Sequence, residues 1–138
     1  MSKKTENKAC VSLIDKLTPT EFLMCFALFL GERWFTDQDL YRFLSGLSDR
    51  FPLRFGIHSK GKYMYCSTFD RVFTYLKMGF TLEESLEPGP AKYRLNSWSN
   101  PGENIQKELE ALKILPQHRK TLNELIQKFK ALKENAPK

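Results

Sequence analysis

The histidines and cysteines, which most often carry acid–base, nucleophilic or metal chemistry, are few and scattered in this sequence. His58 and His118 lie far apart, and neither has the H-x-x-x-H or H-E-x-x-H spacing of a metal site. Cys10, Cys25 and Cys66 include no C-x-x-C pair, which favours free thiols in a reducing compartment. Cys25 lies in an apolar segment, where burial disfavours the reactive thiolate. The sequence therefore predicts no enzyme, no metal site and no cofactor.

The charge balance makes an anionic partner plausible. The 138 residues include 22 Lys and Arg against 16 Asp and Glu, a formal net charge of +6. A merely solvated basic surface explains that excess equally well. The charged start MSKKTENK is followed by no hydrophobic secretory core, and the apolar run FLMCFALFL is too short to span a bilayer. We therefore expect a cytoplasmic protein without a membrane partner.

Two segments combine a helix-start signal with an apolar stripe. In the first, Thr18 is the predicted N-cap, Pro19 takes the first helical position and Glu21 completes a capping box. This helix should stop at Gly31. It is apolar nearly all round, which predicts that it is the central helix of the core. The second helix is capped by Thr36. Its predicted buried stripe is Leu40, Phe43, Leu44 and Leu47.

A third amphipathic helix offers a candidate contact surface. Ser67 is its predicted N-cap and Gly79 its predicted stop. Its apolar stripe is Phe69, Val72, Phe73 and Leu76, and at 100° per residue the opposite arc holds Thr68, Arg71, Thr74 and Tyr75. Arg can read guanine bidentately, and Thr can contact a phosphate or a thymine methyl. This arc is therefore a candidate DNA-contacting face, with an ordinary solvated face as the alternative.

Two further basic clusters flank this helix. Before it, residues 51–65 are predicted to form either a hairpin turning at 59–61 or an ordered loop. Arg54, Lys60 and Lys62 lie there near Tyr63 and Tyr65, and contact with phosphates is as plausible as solvation.

After the helix, alternating segments flank a Pro-Gly-Pro turn, which predicts a β-hairpin. The apolar positions of this hairpin are Phe80, Leu82, Leu86, Tyr93 and Leu95. Lys92 and Arg94 share one strand face and are candidate phosphate contacts. Glu83, Glu84 and Glu87 lie nearby and would partly cancel that charge.

The C-terminal region is predicted to be helical. Asn100 is the predicted cap of a fourth helix and Pro101 its first residue, and Pro116 should break or kink the pattern. In the fifth helix, apolar residues follow the spacing of a coiled-coil seam, namely Leu122, Leu125, Phe129 and Leu132. We expect this seam to hold a homodimer and the helix also to pack on the domain.

Three helices followed by a two-stranded wing is the winged helix-turn-helix arrangement, in which the third helix can enter the major groove. The sequence thus predicts a mostly α fold with a small β-hairpin wing, of the α+β class. The prediction is a single domain over 1–138, with a DNA-binding core at 18–96 and dimerisation helices at 100–134.

Three stretches, GERWFTDQDLYRFL, STFDRVFTYLKMGF and EPGPAKYRLN, resemble the second helix, recognition helix and wing of PadR-like transcriptional regulators. The resemblance covers 18–96 and implies a dimeric, sequence-specific double-stranded DNA-binding regulator, expected to be a repressor. The family includes a cyanobacterial circadian-clock regulator of similar size, so control of a clock gene is a further implication. The residues leave two alternatives open: a winged-helix protein-interaction module and an RNA-binding domain. They indicate no particular effector ligand.

Overall fold

The computed structural model describes residues 2–31, 33–96 and 101–135. The described part is mostly helical with two small antiparallel sheets, which confirms the predicted α+β class. The helices are α1 (Ser2–Lys16), α2 (Pro19–Leu30), α3 (Asp37–Leu47), α4 (Arg50–Phe55), α5 (Ser67–Met78), α6 (Pro101–Ala111) and α7 (Ile114–Asn135). The strands are β1 (Phe35–Thr36), β2 (His58–Lys60), β3 (Tyr63–Tyr65), β4 (Leu82–Glu84) and β5 (Lys92–Leu95).

Helix α2 is the centre of the core, as predicted. The Thr18 hydroxyl accepts the N–H of Glu21 at 3.1 Å, and the Glu21 carboxylate accepts the N–H of Thr18 at 2.9 Å. This capping box satisfies two backbone donors at the helix start. Most of the α2 side chains are buried, and α5, α6, α7 and β5 all pack against the helix. Gly31 ends it with a positive φ of 70°.

A second capping box starts α3 directly after β1. The Thr36 hydroxyl accepts the N–H of Asp39, and the Asp39 carboxylate accepts the N–H of Thr36, both at 3.0 Å. The predicted stripe is present, with Leu40, Phe43 and Leu44 buried and Leu47 half-buried. The predicted start of this helix is thus confirmed.

Strand β5 is the middle strand of a three-stranded sheet in the order β1-β5-β4. Phe35 pairs with Tyr93 on one side, and Glu83 pairs with Arg94 on the other. The hairpin predicted after the third helix is therefore present and has β1 as an additional partner. Two of its predicted apolar positions are wrong, because Phe80 lies outside both strands and Leu86 is exposed in the loop between them.

Residues 51–65 form a short helix and a hairpin. The hairpin β2–β3 agrees with one of the two predicted alternatives. Helix α4 was not predicted; it forms because Phe51 and Phe55, one turn apart, are both buried. Gly56 ends α4 in the left-handed conformation, with φ 73° and ψ 35°.

Helix α1 was also not predicted. Its buried side chains are Cys10, Leu13 and Ile14, and Leu17 follows just beyond its end. This i, i+3, i+4, i+7 spacing is the signal that could have revealed the helix. The stripe packs against α7 and joins the common core.

The C-terminal helices correct two predictions. Pro116 does not break the pattern, because it lies in the first turn of α7, where its missing N–H needs no helical partner. The break comes earlier, where Lys113 adopts a φ of 63°. The predicted cap Asn100 lies outside the described residues.

The predicted dimer seam lies mostly inside the monomer. Leu122, Leu125 and Phe129 are almost completely buried in the single chain, whereas Leu132 is 50% exposed. The Phe129 ring lies 4.8 Å from that of Phe26, measured between centroids. The proposed dimer contact is therefore wrong for the three buried residues, since the domain itself already covers them. The expected packing of this helix on the domain is confirmed.

Replacing Phe129 with Ala should lower the free energy of unfolding by about 3–5 kcal/mol, because it leaves a cavity in the core. Leu132→Ala is the matched control on the same helix and should stay within about 0.5 kcal/mol of the parent. Urea denaturation of both variants measures the difference. Equal, small effects would contradict the burial of the α7 stripe.

Candidate nucleic-acid interface

The N-terminus of α5 is fixed by Cys66. Cys66 is the N-cap, its carbonyl accepts the N–H of Asp70 at 2.9 Å, and its thiol donates to the Phe55 carbonyl at 3.1 Å. Ser67 was predicted as the cap but is the first residue of the helix. The helix therefore begins one residue earlier than predicted, and its two faces are unchanged.

The two predicted faces of α5 are both present. Phe69, Val72, Phe73 and Leu76 are buried, and Thr68, Arg71, Thr74 and Tyr75 are all exposed. The Thr74 hydroxyl donates to the Asp70 carbonyl one turn earlier at 3.1 Å. Arg71 has no ion-pair partner among the residues that the structure describes. Its guanidinium is therefore available for an external acceptor.

The C-terminal end of α5 carries an exposed apolar group. Thr81 donates its N–H to the Leu76 carbonyl and Phe80 to the Lys77 carbonyl, which is the Schellman pattern. The helix stops at Gly79, as predicted, and the left-handed residue is the next one, Phe80, with a φ of 61°. An aromatic residue in this conformation is uncommon and strained. Tyr75, Met78 and Phe80 are all largely exposed here.

The β2–β3 hairpin presents a basic and aromatic face. The pairs His58–Tyr65 and Lys60–Tyr63 are directly opposite in register, so their side chains lie on the same side of the hairpin. All four are exposed, whereas Met64 on the other side is half-buried against the core. The Lys60 ammonium lies 5.4 Å from the centre of the Tyr65 ring.

Gln38 holds this hairpin against the start of α3. Its side-chain amide donates to the Met64 carbonyl and accepts the Met64 N–H, both at 2.7 Å. The Gln38 side chain thus pairs with the N–H and the carbonyl of Met64 as a residue of a neighbouring strand would. Sequence reasoning missed this role, because no local pattern links Gln38 to a residue 26 positions away.

Three charged side chains of the β4–β5 hairpin, Glu83, Glu84 and Arg94, are paired within the fold. Arg94 forms an ion pair with Glu83 at 2.6 Å and lies 4.2 Å from the Trp34 ring centre, and Lys77 bonds Glu84 at 2.9 Å. Glu83 and Trp34 thus engage the Arg94 guanidinium within the fold, and the phosphate contact of Arg94 stays a prediction. Lys92 is half-buried on the same strand.

Arg54 is likewise engaged within the fold. Its guanidinium donates to the carbonyls of Ile14 and Leu17 at 2.9 and 3.2 Å and to the Asp15 carboxylate at 3.0 Å. These bonds cap the C-terminal end of α1, where a cation is favourable. The Arg54 guanidinium is therefore engaged within the fold, whereas Lys60 and Lys62 are exposed without an ion pair in the described ranges. The phosphate contact of Arg54 stays a prediction.

The thiols are unsuited to nucleophilic chemistry. Cys10, Cys25 and Cys66 are all free and buried. Burial, together with the carboxylate of Glu21, raises the pKa of the Cys25 thiol to about 12.

Within the described residues, no three His, Cys, Asp or Glu side chains come together as a metal site would require. None of the described helices combines the length and apolar character needed to cross a membrane.

Comparison with protein families, with curated proteins and with solved structures found no match.

The raised pKa of Cys25 predicts a pH dependence of stability. An unfolded thiol ionises near pH 8.5, so the folded state binds the proton more tightly. This contribution is complete below about pH 8.5 and is lost between about pH 8.5 and 12, at up to about 1.4 kcal/mol per pH unit. Urea midpoints at pH 8, 9 and 10 should decline more steeply for the parent than for Cys25→Ala. Parallel declines would contradict the assignment.

Proposed function

We propose that the chain is a DNA-binding transcriptional regulator that places α5 in the major groove of a duplex. The observation that carries this proposal is the exposed polar arc of α5, with Arg71 unpaired among the described residues and the opposite stripe fixed in the core. A rigidly packed helix presenting Arg and Thr is suited to contact base edges and phosphates.

The arrangement around α5 supports a winged-helix interpretation. Helices α2, α3 and α5 precede the β4–β5 hairpin, and β1, between α2 and α3, pairs with the returning strand β5. In winged helix-turn-helix domains the third helix enters the groove. In this proposal α5 is that helix and β4–β5 is the wing.

Regulation would follow from occupancy of the DNA site, and repression is the simplest output. Two copies would meet two half-sites about one helical turn apart. Because most of the predicted seam is buried in the monomer, a homodimer would need another surface of the chain. The proposed contact between α5 and DNA does not depend on which surface that is.

One observation favours a second candidate, a protein-interaction module. Tyr75, Met78 and Phe80 leave a largely exposed apolar cluster at the end of α5, and Phe80 holds a strained backbone conformation. Strained residues persist where the surroundings impose them and often lie at functional sites. In this alternative the cluster meets a protein partner and the positive charge serves solubility.

Replacing Arg71 with Ala should weaken binding to the preferred duplex by about 1–3 kcal/mol and relax the preference at one base pair. Stability should change by less than about 0.5 kcal/mol, because the side chain is exposed. Selection of bound duplexes from a random pool identifies the site, and affinity at one fixed salt concentration measures the loss.

Two controls separate DNA contact from folding and from charge. Phe73→Ala should cost about 3–5 kcal/mol of stability and lose binding only by unfolding. Arg119→Ala removes the same charge from the exposed side of α7 and should leave affinity unchanged. An Arg71→Ala protein that binds its site as tightly as the parent would refute the groove contact and favour the protein-interaction module.

A further inference from the structure

We propose that the β2–β3 hairpin is a second DNA-contacting element, which grips the phosphate backbone of the duplex beside the site read by α5. This inference rests on the proposed duplex binding and adds a surface to it. The hairpin lies between α4 and α5, outside the helices and the wing of the proposed winged helix.

This hairpin carries basic side chains and no acidic side chain of its own. Residues 56–66 contain no Asp or Glu. Lys60 and Lys62 are exposed, and neither forms an ion pair with any residue in the described ranges. On the β4–β5 hairpin, by contrast, Arg94 is bound to Glu83, and Glu87 is exposed near the tip. The stronger attraction for phosphate is therefore at β2–β3.

The outward face carries hydrogen-bond donors as well as charge. Tyr63 is 69% exposed and Tyr65 is 43% exposed, on the same side as Lys60. Lysine ammonium and tyrosine hydroxyl groups both donate to phosphate oxygens, and such contacts position a protein on DNA without reading its sequence. The contact of Lys60 with the Tyr65 ring holds the ammonium close to this face.

The position of the hairpin relative to α5 is also fixed by the fold. Only Cys66 separates Tyr65 from the first residue of α5, so the hairpin lies at the N-terminal end of that helix. The Cys66 thiol donates a hydrogen bond to the Phe55 carbonyl of α4, and the Gln38 side chain of α3 forms two hydrogen bonds with the Met64 backbone. Because these contacts tie the hairpin to three helices, little ordering is required when it meets the backbone.

The test is the salt dependence of binding to a 30-base-pair duplex that contains the selected site. Lys60→Gln together with Lys62→Gln should flatten the log–log slope by about 1.8, or about 0.9 for each lost phosphate contact. The affinity loss should therefore be larger at 50 mM than at 200 mM salt. Lys107→Gln with Lys120→Gln removes the same charge from exposed positions on α6 and α7 and should leave the slope unchanged. Melting temperatures verify that each variant is folded.

The outcomes separate this inference from the proposed function. An unchanged slope in the hairpin variant, with Arg71→Ala still weakening binding, would overturn the hairpin contact and leave the role of α5 in place. The same flattening in the α6 and α7 control would show a general charge effect and would also overturn it. A folded parent protein that binds no duplex would overturn both.

A second pair of substitutions distinguishes backbone contact from stacking on unpaired bases. Tyr63→Phe with Tyr65→Phe removes the hydroxyls and keeps the rings. If the hydroxyls donate to phosphates, duplex affinity should fall by up to roughly tenfold for each lost bond. If the variant instead keeps its affinity and the parent prefers the single strand of the same sequence, the rings stack on bases, which would overturn the duplex-backbone contact.

Discussion

The fold depends above all on the aromatic contacts of Phe26 in the middle of α2. Its ring centroid lies 4.8 Å from that of Phe129 on α7 and 5.1 Å from that of Phe35 on β1, both edge-on. Phe35 in turn contacts Phe73 of α5 and Tyr93 of β5. One ring therefore couples the C-terminal helix, the sheet and the inner face of the proposed DNA-contacting helix. Edge-to-face aromatic pairs add to the large area that such side chains bury.

This core determines which surface is left for a partner. Because the inner stripe of α5 is fixed against α2 and the sheet, its other arc must face solvent. Ion pairing then distinguishes two groups among the basic side chains of the predicted contact sites. Arg54 caps α1 and Arg94 binds Glu83, whereas Arg71, Lys60 and Lys62 form no ion pair in the described ranges. The proposed DNA contacts of α5 and the β2–β3 hairpin use side chains of the second group.

Much of the local structure could be predicted, since the responsible interactions span only a few residues. The capping boxes at Thr18 and Thr36 need a partner three positions along the chain. The box at Thr18 and the cap at Thr36 both formed as expected. The stripes of α3 and α5 follow from helical periodicity alone. The apolar stripe of α1 has the same periodicity but follows a charged segment that carries no N-cap signal of the kind seen at Thr18 and Thr36. Local signals thus located the proposed DNA-contacting helix and the β4–β5 hairpin, and left the β2–β3 hairpin as one of two alternatives.

The sequence by itself determined which side chains are apolar, which helices are amphipathic and where most of them begin. Only the tertiary structure decided which elements pack against each apolar stripe and which acidic and basic side chains form ion pairs. The apolar stripe of α7 could be buried against a second copy as well as against its own domain. The hydrophobic effect is non-directional, so burial against either surface would be stabilising. Arg54 likewise finds its acceptors about 40 positions away, a pairing that local spacing does not encode. The choice among distant partners is made when the whole chain packs, and it left Lys60, Lys62 and Arg71 facing solvent.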